Sequence, residues 1–181
     1  MDTEQLLLTP YTGLAGRMGT PIDGAAFRFA MRHPANSVTL IASGQGEKRA
    51  GLTATAVCSL SDDPPSLLAC VNKKSFALNT IRESGAFSVN FLHADQTDVA
   101  AVFAGQTPLR GTDRFDDRLW QMLETGSPVL KRCLAAFDCY VERQVDYATH
   151  TILIGRVADA THSDEQEALI YSRGKYHARQ E

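Results

Sequence analysis

Apolar residues follow two rhythms along this chain, and each predicts its own elements. Between Asp23 and Met31, Ala26, Phe27, Ala30 and Met31 recur at helical spacing, with Asp23 placed to cap the helix and His33-Pro34 to end it. From Ser37 the rhythm changes to extended runs. VTLIAS, a turn at Gly44 to Lys48 and GLTATAVCSL predict a hairpin, and SLLACV follows the Pro64-Pro65 turn as a third strand. Ser75 is placed to cap a helix holding Phe76, Leu78 and Ile81, which Gly85 closes. FSVNFL predicts another strand, and a helix is expected to open at Asp95 and run through Phe103.

The segment from Gly105 to Leu123 is polar and irregular, and carries Arg110, Arg114, Asp116, Asp117 and Arg118. A connection that long without a clear period tends to be functional or mobile. Beyond it, Phe137, Cys139 and Val141 alternate with Asp138, Tyr140 and Glu142, the period of a half-buried strand. THTILIGRVADA reads as a more fully buried strand, followed by ALIYS and then Tyr176. Strands outnumber helices and adjoin through short turns, so the expected fold is mainly β with flanking helices, an antiparallel barrel. Residues 1–22 have no sustained period and are expected to form an extended or mobile arm, placed to drape over a partner subunit. Residues 23–181 are then a single domain.

Composition narrows the field without naming a function. At 181 residues the chain has room for one sizeable core, and 44% apolar with 22% charged residues is ordinary for a soluble globular protein. A net charge of -3 argues against a nucleic-acid partner. No apolar run approaches the roughly 20 residues that span a bilayer, and the acidic start MDTEQLLLTP lacks the features of a secretory signal. Cys58, Cys70, Cys133 and Cys139 match no zinc spacing, so no metal is expected. All four lie in apolar segments and read as reduced core residues of a cytoplasmic protein.

GxGxxG, P-loop, HExxH and GxSxG motifs are all absent. Three positive features remain. Thr53, Ala54, Thr55 and Ala56 offer small side chains against which a planar ring can approach the main chain, although such a run is also an ordinary strand. Asn72-Lys73-Lys74-Ser75 falls where a strand ends and a helix begins, where unpaired N–H groups and cations favour a phosphate. A solvated lysine pair beside a simple serine cap fits the same residues. Asn79-Thr80 lies one turn further on. His150, in ATHTILIGRV, fits a structural or a positioning histidine.

In order along the chain, GLTATAVCSLSDDPPSLLACVNKKS, GAFSVNFL, Phe103-Ala104, Arg114-Phe115, CLAAFDCYVE, THTILIGRV and YSRGKYH resemble the flavin reductase domain family from about Phe27 to His177. RAGLTATAVCS, FAG-TP and THTI look most like the reductases that supply reduced FMN to pyrimidine-degrading monooxygenases. The reductase partners of hydroxyphenylacetate-type hydroxylases and the cobalt-corrinoid reductases are similar too. The resemblance implies an antiparallel Greek-key split β-barrel of the FMN-binding type, with flavin held at a homodimer interface.

It further implies that Thr53, Ala54, Thr55, Ala56 and Ser59 hold the isoalloxazine and ribityl chain. Asn72, Lys73, Ser75 and Thr80 would hold the phosphate region. His150 would sit where the nicotinamide stacks, with Tyr176 on the nicotinamide side. Many relatives carry Gly-Asp before this histidine, where this chain has Ala148-Thr149.

The implied activity is NAD(P)H:flavin oxidoreduction, a hydride passing from NADH or NADPH to FMN or FAD, with reduced flavin leaving for a separate monooxygenase. Such a site needs no strong acid or base; it must hold two rings in contact and stabilise the charge that develops. A non-catalytic flavin carrier or sensor, and a reductase of a corrinoid or ferric acceptor, stay open on sequence alone.

Overall fold

The computed structural model of the protein describes residues 19–164 and 167–178. It divides into two compact units, residues 1–34 and 35–181. Residues 1–18 of the expected arm lie outside the described residues. In the first unit, helix α1 (Gly24–Met31) begins as expected: the Asp23 carboxylate accepts bonds from the N–H groups of Ala25 and Ala26 at 2.7 and 2.9 Å. None of its residues is buried, and Phe27, Phe29 and Met31 are each more than half exposed.

The second unit runs β1 (Asn36–Ser37), β2 (Thr39–Ser43), β3 (Ala50–Ala54), β4 (Val57–Asp62), β5 (Pro65–Asn72), α2 (Phe76–Ser84), β6 (Ala86–Phe91) and α3 (Thr97–Phe103). It continues with β7 (Trp120–Met122), β8 (Pro128–Leu130), β9 (Ala135–Tyr147), β10 (His150–His162), β11 (Leu169–Ser172) and β12 (Lys175–Ala178). Seven strands pair antiparallel in the order β3-β2-β6-β9-β10-β5-β4. Smaller sheets join β1-β11-β12 and β7-β8.

That order forces closure. β3 and β4 are the two edges of the large sheet, yet only Thr55 and Ala56 connect them. Seven strands laid flat at about 4.8 Å spacing would hold the edges roughly 29 Å apart. Three Cα steps of 3.8 Å reach only about 11 Å. The sheet therefore curls until its edges adjoin, and the Ala56 carbonyl accepts the N–H of Cys70 on β5 at 2.9 Å. The expected single strand GLTATAVCSL is thus two strands, broken where the barrel closes.

Alternation along the strands sorts side chains into two cores. Ile41, Leu67, Ala69, Val71, Phe87, Val89, Cys139 and Leu153 fill the barrel, which Leu78 and Ile81 of α2 plug. On the other face, Val38, Leu40 and Ala42 pack with Ala100 and Phe103 of α3 and with Phe115, Trp120 and Leu130. α2 ends at Gly85, whose φ of 69° is the left-handed conformation that glycine adopts at low cost. α3 departs from expectation at its start: Gln96 occupies the N-cap position, while the Asp95 carboxylate binds His93 and Arg132.

Two further expectations are corrected. Cys133 and Cys139 are buried, but Cys58 is exposed and Cys70 only half-buried, because β4 and this part of β5 turn those side chains to the barrel's outer face. β10 is not fully buried. Thr151, Leu153 and Gly155 face inward, while the residues between them are half-covered and those beyond Gly155 are mostly exposed.

Asp138 on β9 is fully buried, and its carboxylate accepts the Thr125 N–H at 2.7 Å and the Thr125 hydroxyl at 2.5 Å. Burial pushes its pKa above the usual 3.8 against those two bonds, and the nearby charges of Asp159 and Glu124 add to the rise. The folded state therefore holds this proton more tightly than the unfolded chain does. The resulting stability is fully present below the unfolded pKa and is lost as pH rises through the folded one. Asp138→Asn removes that loss, so its Tm should gain on the wild type as pH rises from the unfolded carboxylate pKa through the raised folded one. Parallel Tm curves for the two proteins would refute the assignment.

Candidate functional site

The barrel's closure and the β9–β10 hairpin converge on one rim. Asn72, the last residue of β5, lies opposite His150, the first of β10, and His150 lies opposite Tyr147, the last of β9. Two residues back along β5, Cys70 bonds Ala56. Thr55, Ala56, Asn72 and His150 are all exposed there. Thr55 and Ala56 stand outside both strands, which leaves an open stretch of small residues at the closure.

The turn from Asn72 to Ser75 is tied down from two directions. The Asn72 side-chain oxygen accepts the Lys74 N–H at 2.9 Å, and the Asn72 carbonyl accepts the Ser75 N–H at 2.9 Å. The Lys73 N–H donates to the Thr149 carbonyl at 3.0 Å, fixing the turn to the hairpin tip. Ser75 is the N-cap of α2 but makes no side-chain capping bond, so its half-buried hydroxyl is not spent on the helix.

Behind this turn, Asp146 gathers the charges. Its carboxylate accepts from Thr151 Oγ1 at 2.6 Å and Arg82 at 2.9 Å, and lies 3.7 Å from the Lys73 ammonium. The Thr151 bond, followed by the charges of Lys73 and Arg82, holds the Asp146 pKa below the usual carboxylate value. Sequence reasoning missed this hub. Its signal was the Asp-x4-Thr spacing across a two-residue hairpin turn, which places both side chains on one face.

His150 is held by its neighbour: Nδ1 lies 2.9 Å from Thr149 Oγ1. The hairpin tip is strained at Ala148, whose φ of 44° lies in the left-handed region that favours glycine. Ala148→Gly should therefore stabilise the protein by about 1 kcal/mol, read as a higher urea midpoint at unchanged slope. An equal or lower midpoint would show that the turn carries no such strain.

Other expected residues fall elsewhere. The Thr53 hydroxyl donates to the Ala100 carbonyl at 2.7 Å and so ties β3 to α3. Ala54 is half-buried and its carbonyl accepts the Thr39 hydroxyl at 2.8 Å. Thr80 is 7% exposed and turned into the helix–sheet packing, where its methyl would sit 2.7 Å from a Cβ at Gly44. Ser59 lies further along β4, lining an apolar groove of about 440 Å3 with Val57, Phe137 and Val157. Tyr176 packs edge-on to Tyr171 at 5.4 Å in the small sheet. That sheet holds β1, β11 and β12, whereas His150 pairs with Asn72 and Tyr147 in the large sheet.

The residues at the rim suit a flat polar ring with a phosphate tail: small residues at Thr55 and Ala56, amide and hydroxyl groups at Asn72 and Ser75, and a cation at Lys73. The sequence profile of the flavin reductase like domain matches residues 31–180. The chain belongs to this family. It is 39% identical over 156 residues to the FMN reductase (NADH) RutF 1 of Methylorubrum extorquens, covering 86% of this chain and 77% of that one. Among solved structures it resembles BorF, the flavin reductase component of a bacterial two-component tryptophan halogenase, with TM-score 0.80, 32% identity and coverage of 86% and 98%. The Streptomyces globisporus NADH:FAD oxidoreductase SgcE6, solved with NAD and FAD fragments, matches with TM-score 0.77, 28% identity and coverage of 88% and 96%.

Thr149 stands just before the histidine, and its hydroxyl is the side-chain group that the hairpin tip places against the His150 ring. No helix among the described residues is long and apolar enough to cross a membrane.

Proposed function

We propose that this protein is an NAD(P)H:flavin oxidoreductase that reduces free FMN, or FAD, and releases it to a separate flavin-dependent monooxygenase. The observation that carries this reading is the rim: Thr55–Ala56, Asn72–Ser75 and His150 meet at the barrel's closure in a member of the flavin reductase family. Flavin, as substrate, supplies the hydride-accepting ring, and NADH or NADPH supplies the hydride. The chain's own task is placement. Thr55 and Ala56 let the ring lie against the main chain, where backbone donors meet the negative charge that develops on it. Asn72, Lys73 and Ser75 face its phosphate end. His150, oriented by Thr149, positions the nicotinamide and abstracts no proton.

We further propose a cytoplasmic homodimer. The groove along β4, β5, β6, β9 and β10 has an apolar lining that includes Val57, Phe91, Phe137 and Val157, and elsewhere on β4 and β9 Leu60 is 49% and Tyr140 41% exposed. Such a surface favours a self-complementary contact. A second copy seated there would wall the open side of Thr55 and Ala56.

Purified protein should oxidise NADH or NADPH when FMN or FAD is added. Rates no higher than without protein would end the reductase reading. Binding of flavin without bleaching by reduced nicotinamide under anaerobic conditions would make the protein a carrier instead. A monomeric mass by light scattering at micromolar concentration would remove the dimer.

A further inference from the structure

Beside the rim, at the start of α2, lies a pocket of about 410 Å3 lined by Phe76, Gly105, Leu109, Arg110, Gly111 and Arg114. We infer that Arg110 and Arg114, with the exposed ring of Phe76, form a receptor for the phosphate ester of an aromatic substrate, distinct from the Asn72–Ser75 turn. This deepens the flavin-reductase reading and rests on it.

Three observations converge. First, among the described residues neither guanidinium has a carboxylate partner. Arg110 Nη1 donates to the carbonyls of Thr107 and Leu109. Arg114 donates from Nε to the Gly111 carbonyl at 3.2 Å and from Nη1 to the Gly51 carbonyl at 3.1 Å. Each guanidinium has five N–H donors in a fixed fork, so both retain donors for a ligand.

Second, the two cations stand close enough to repel. Burial, and then the charge of Arg110, pull the Arg114 pKa below its usual value. Both cations line the one pocket, so an anion seated between them would meet two guanidinium forks at once. Arg114 is also held rigidly, with its guanidinium 5.2 Å from the centre of the Phe103 ring.

Third, Phe76 is the first residue of α2, is 70% exposed and lines the same pocket, so its ring offers a face on which an aromatic ligand can stack. It directly follows Ser75. By contrast, the Lys73 ammonium already has a carboxylate, Asp146, 3.7 Å away, and Thr80 is buried, so the turn alone offers a phosphate less unbalanced positive charge than the two arginines do.

The phosphate has two sources in the proposed reaction, the flavin tail and the nicotinamide nucleotide. Flavin affinities are measured by fluorescence quenching for FMN and riboflavin, and KM values for NADH, NADPH and the phosphate-free dihydronicotinamide riboside. Arg110→Gln is the main variant, since Arg110 contacts only local carbonyls; Arg114→Lys is the second, keeping charge but losing the fork. Loss of a charge-assisted pair should cost about tenfold to hundredfold in affinity. If FMN weakens by that factor and riboflavin does not, the flavin tail binds here. If the dinucleotides weaken and the riboside does not, the nicotinamide nucleotide does. Equal behaviour of phosphorylated and phosphate-free ligands in both variants overturns the receptor. A wild type that binds FMN yet never oxidises NADH would sink the reductase reading alone, because the quenching comparison needs no turnover.

Discussion

Replacing Gly155 by valine is expected to lower the unfolding free energy by about 3 kcal/mol or more. Gly155 faces the barrel interior from the middle of β10. A Cβ there would meet Phe87 Cζ at 2.6 Å and Cys139 Cβ at 3.0 Å. Its φ lies outside the left-handed region, so the requirement is for space and not for an unusual backbone. Phe87 is completely buried among Ile41, Val89 and Leu153, so its ring has no solvent side into which to move. Interiors packed this densely answer an added methyl with strained rotamers or a shifted strand.

Alanine at the same position should cost less, about 1–3 kcal/mol, and Phe87→Leu in the same chain should recover part of that cost. Urea unfolding of the two single variants and the double variant measures the coupling. Strict additivity would show that Phe87 is not what fills the space above Gly155. The consequence for function is direct, since a displaced β10 carries His150 away from Asn72.

The elements of the fold were legible in the sequence wherever a local rule decides them. Asp23 caps α1, Gly85 closes α2, and the strand at Phe137 to Glu142 is β9, although Asp138, on the polar side of that alternation, is fully buried. What the local pattern could not show depends on how distant strands meet. The run through Thr53 to Ala56 keeps one apolar rhythm, yet it leaves one edge of the sheet and joins the other. Cys58 reads as core because β4 is apolar, but which face of β4 points outward is set only by closure. Thr80 reads as a surface hydroxyl one turn into a helix, and the approach of Gly44 buries it.

The candidate site divides in the same way. Thr55, Ala56, Asn72, Lys73, Ser75 and His150 were named from residue types at the ends of strands, and the structure gathers them at one rim. Tyr176 was named for its place late in the chain, and it lies in the small sheet while His150 pairs in the large one. Arg110 and Arg114 were visible as charges in an irregular loop. That they converge, and that Phe76 faces them, depends on α2 and this loop packing against the same strand, β3, which no local pattern encodes.

His150→Ala should raise the KM for reduced nicotinamide about tenfold while changing flavin affinity less than about twofold. The split follows from where the ring sits. His150 is exposed at the first position of β10 and paired in register with Asn72, so it borders the rim without forming its floor, which Thr55 and Ala56 provide. Its hold is local, through Thr149 Oγ1 at 2.9 Å, and Thr149 is itself fixed by the Lys73 N–H on its carbonyl. Thr149→Val keeps the size and loses the hydroxyl, so it should move the same KM in the same direction by a smaller factor, about threefold. A proton-transfer role would instead depress kcat with a pH dependence that the variant abolishes. Steady-state kinetics at several pH values, with flavin binding measured separately, tell these apart. Unchanged nicotinamide kinetics in His150→Ala, or a parallel loss of flavin affinity, would remove His150 from the nicotinamide side. In that event the hairpin tip, with Thr149 braced on Lys73, would be a support for the flavin's phosphate end.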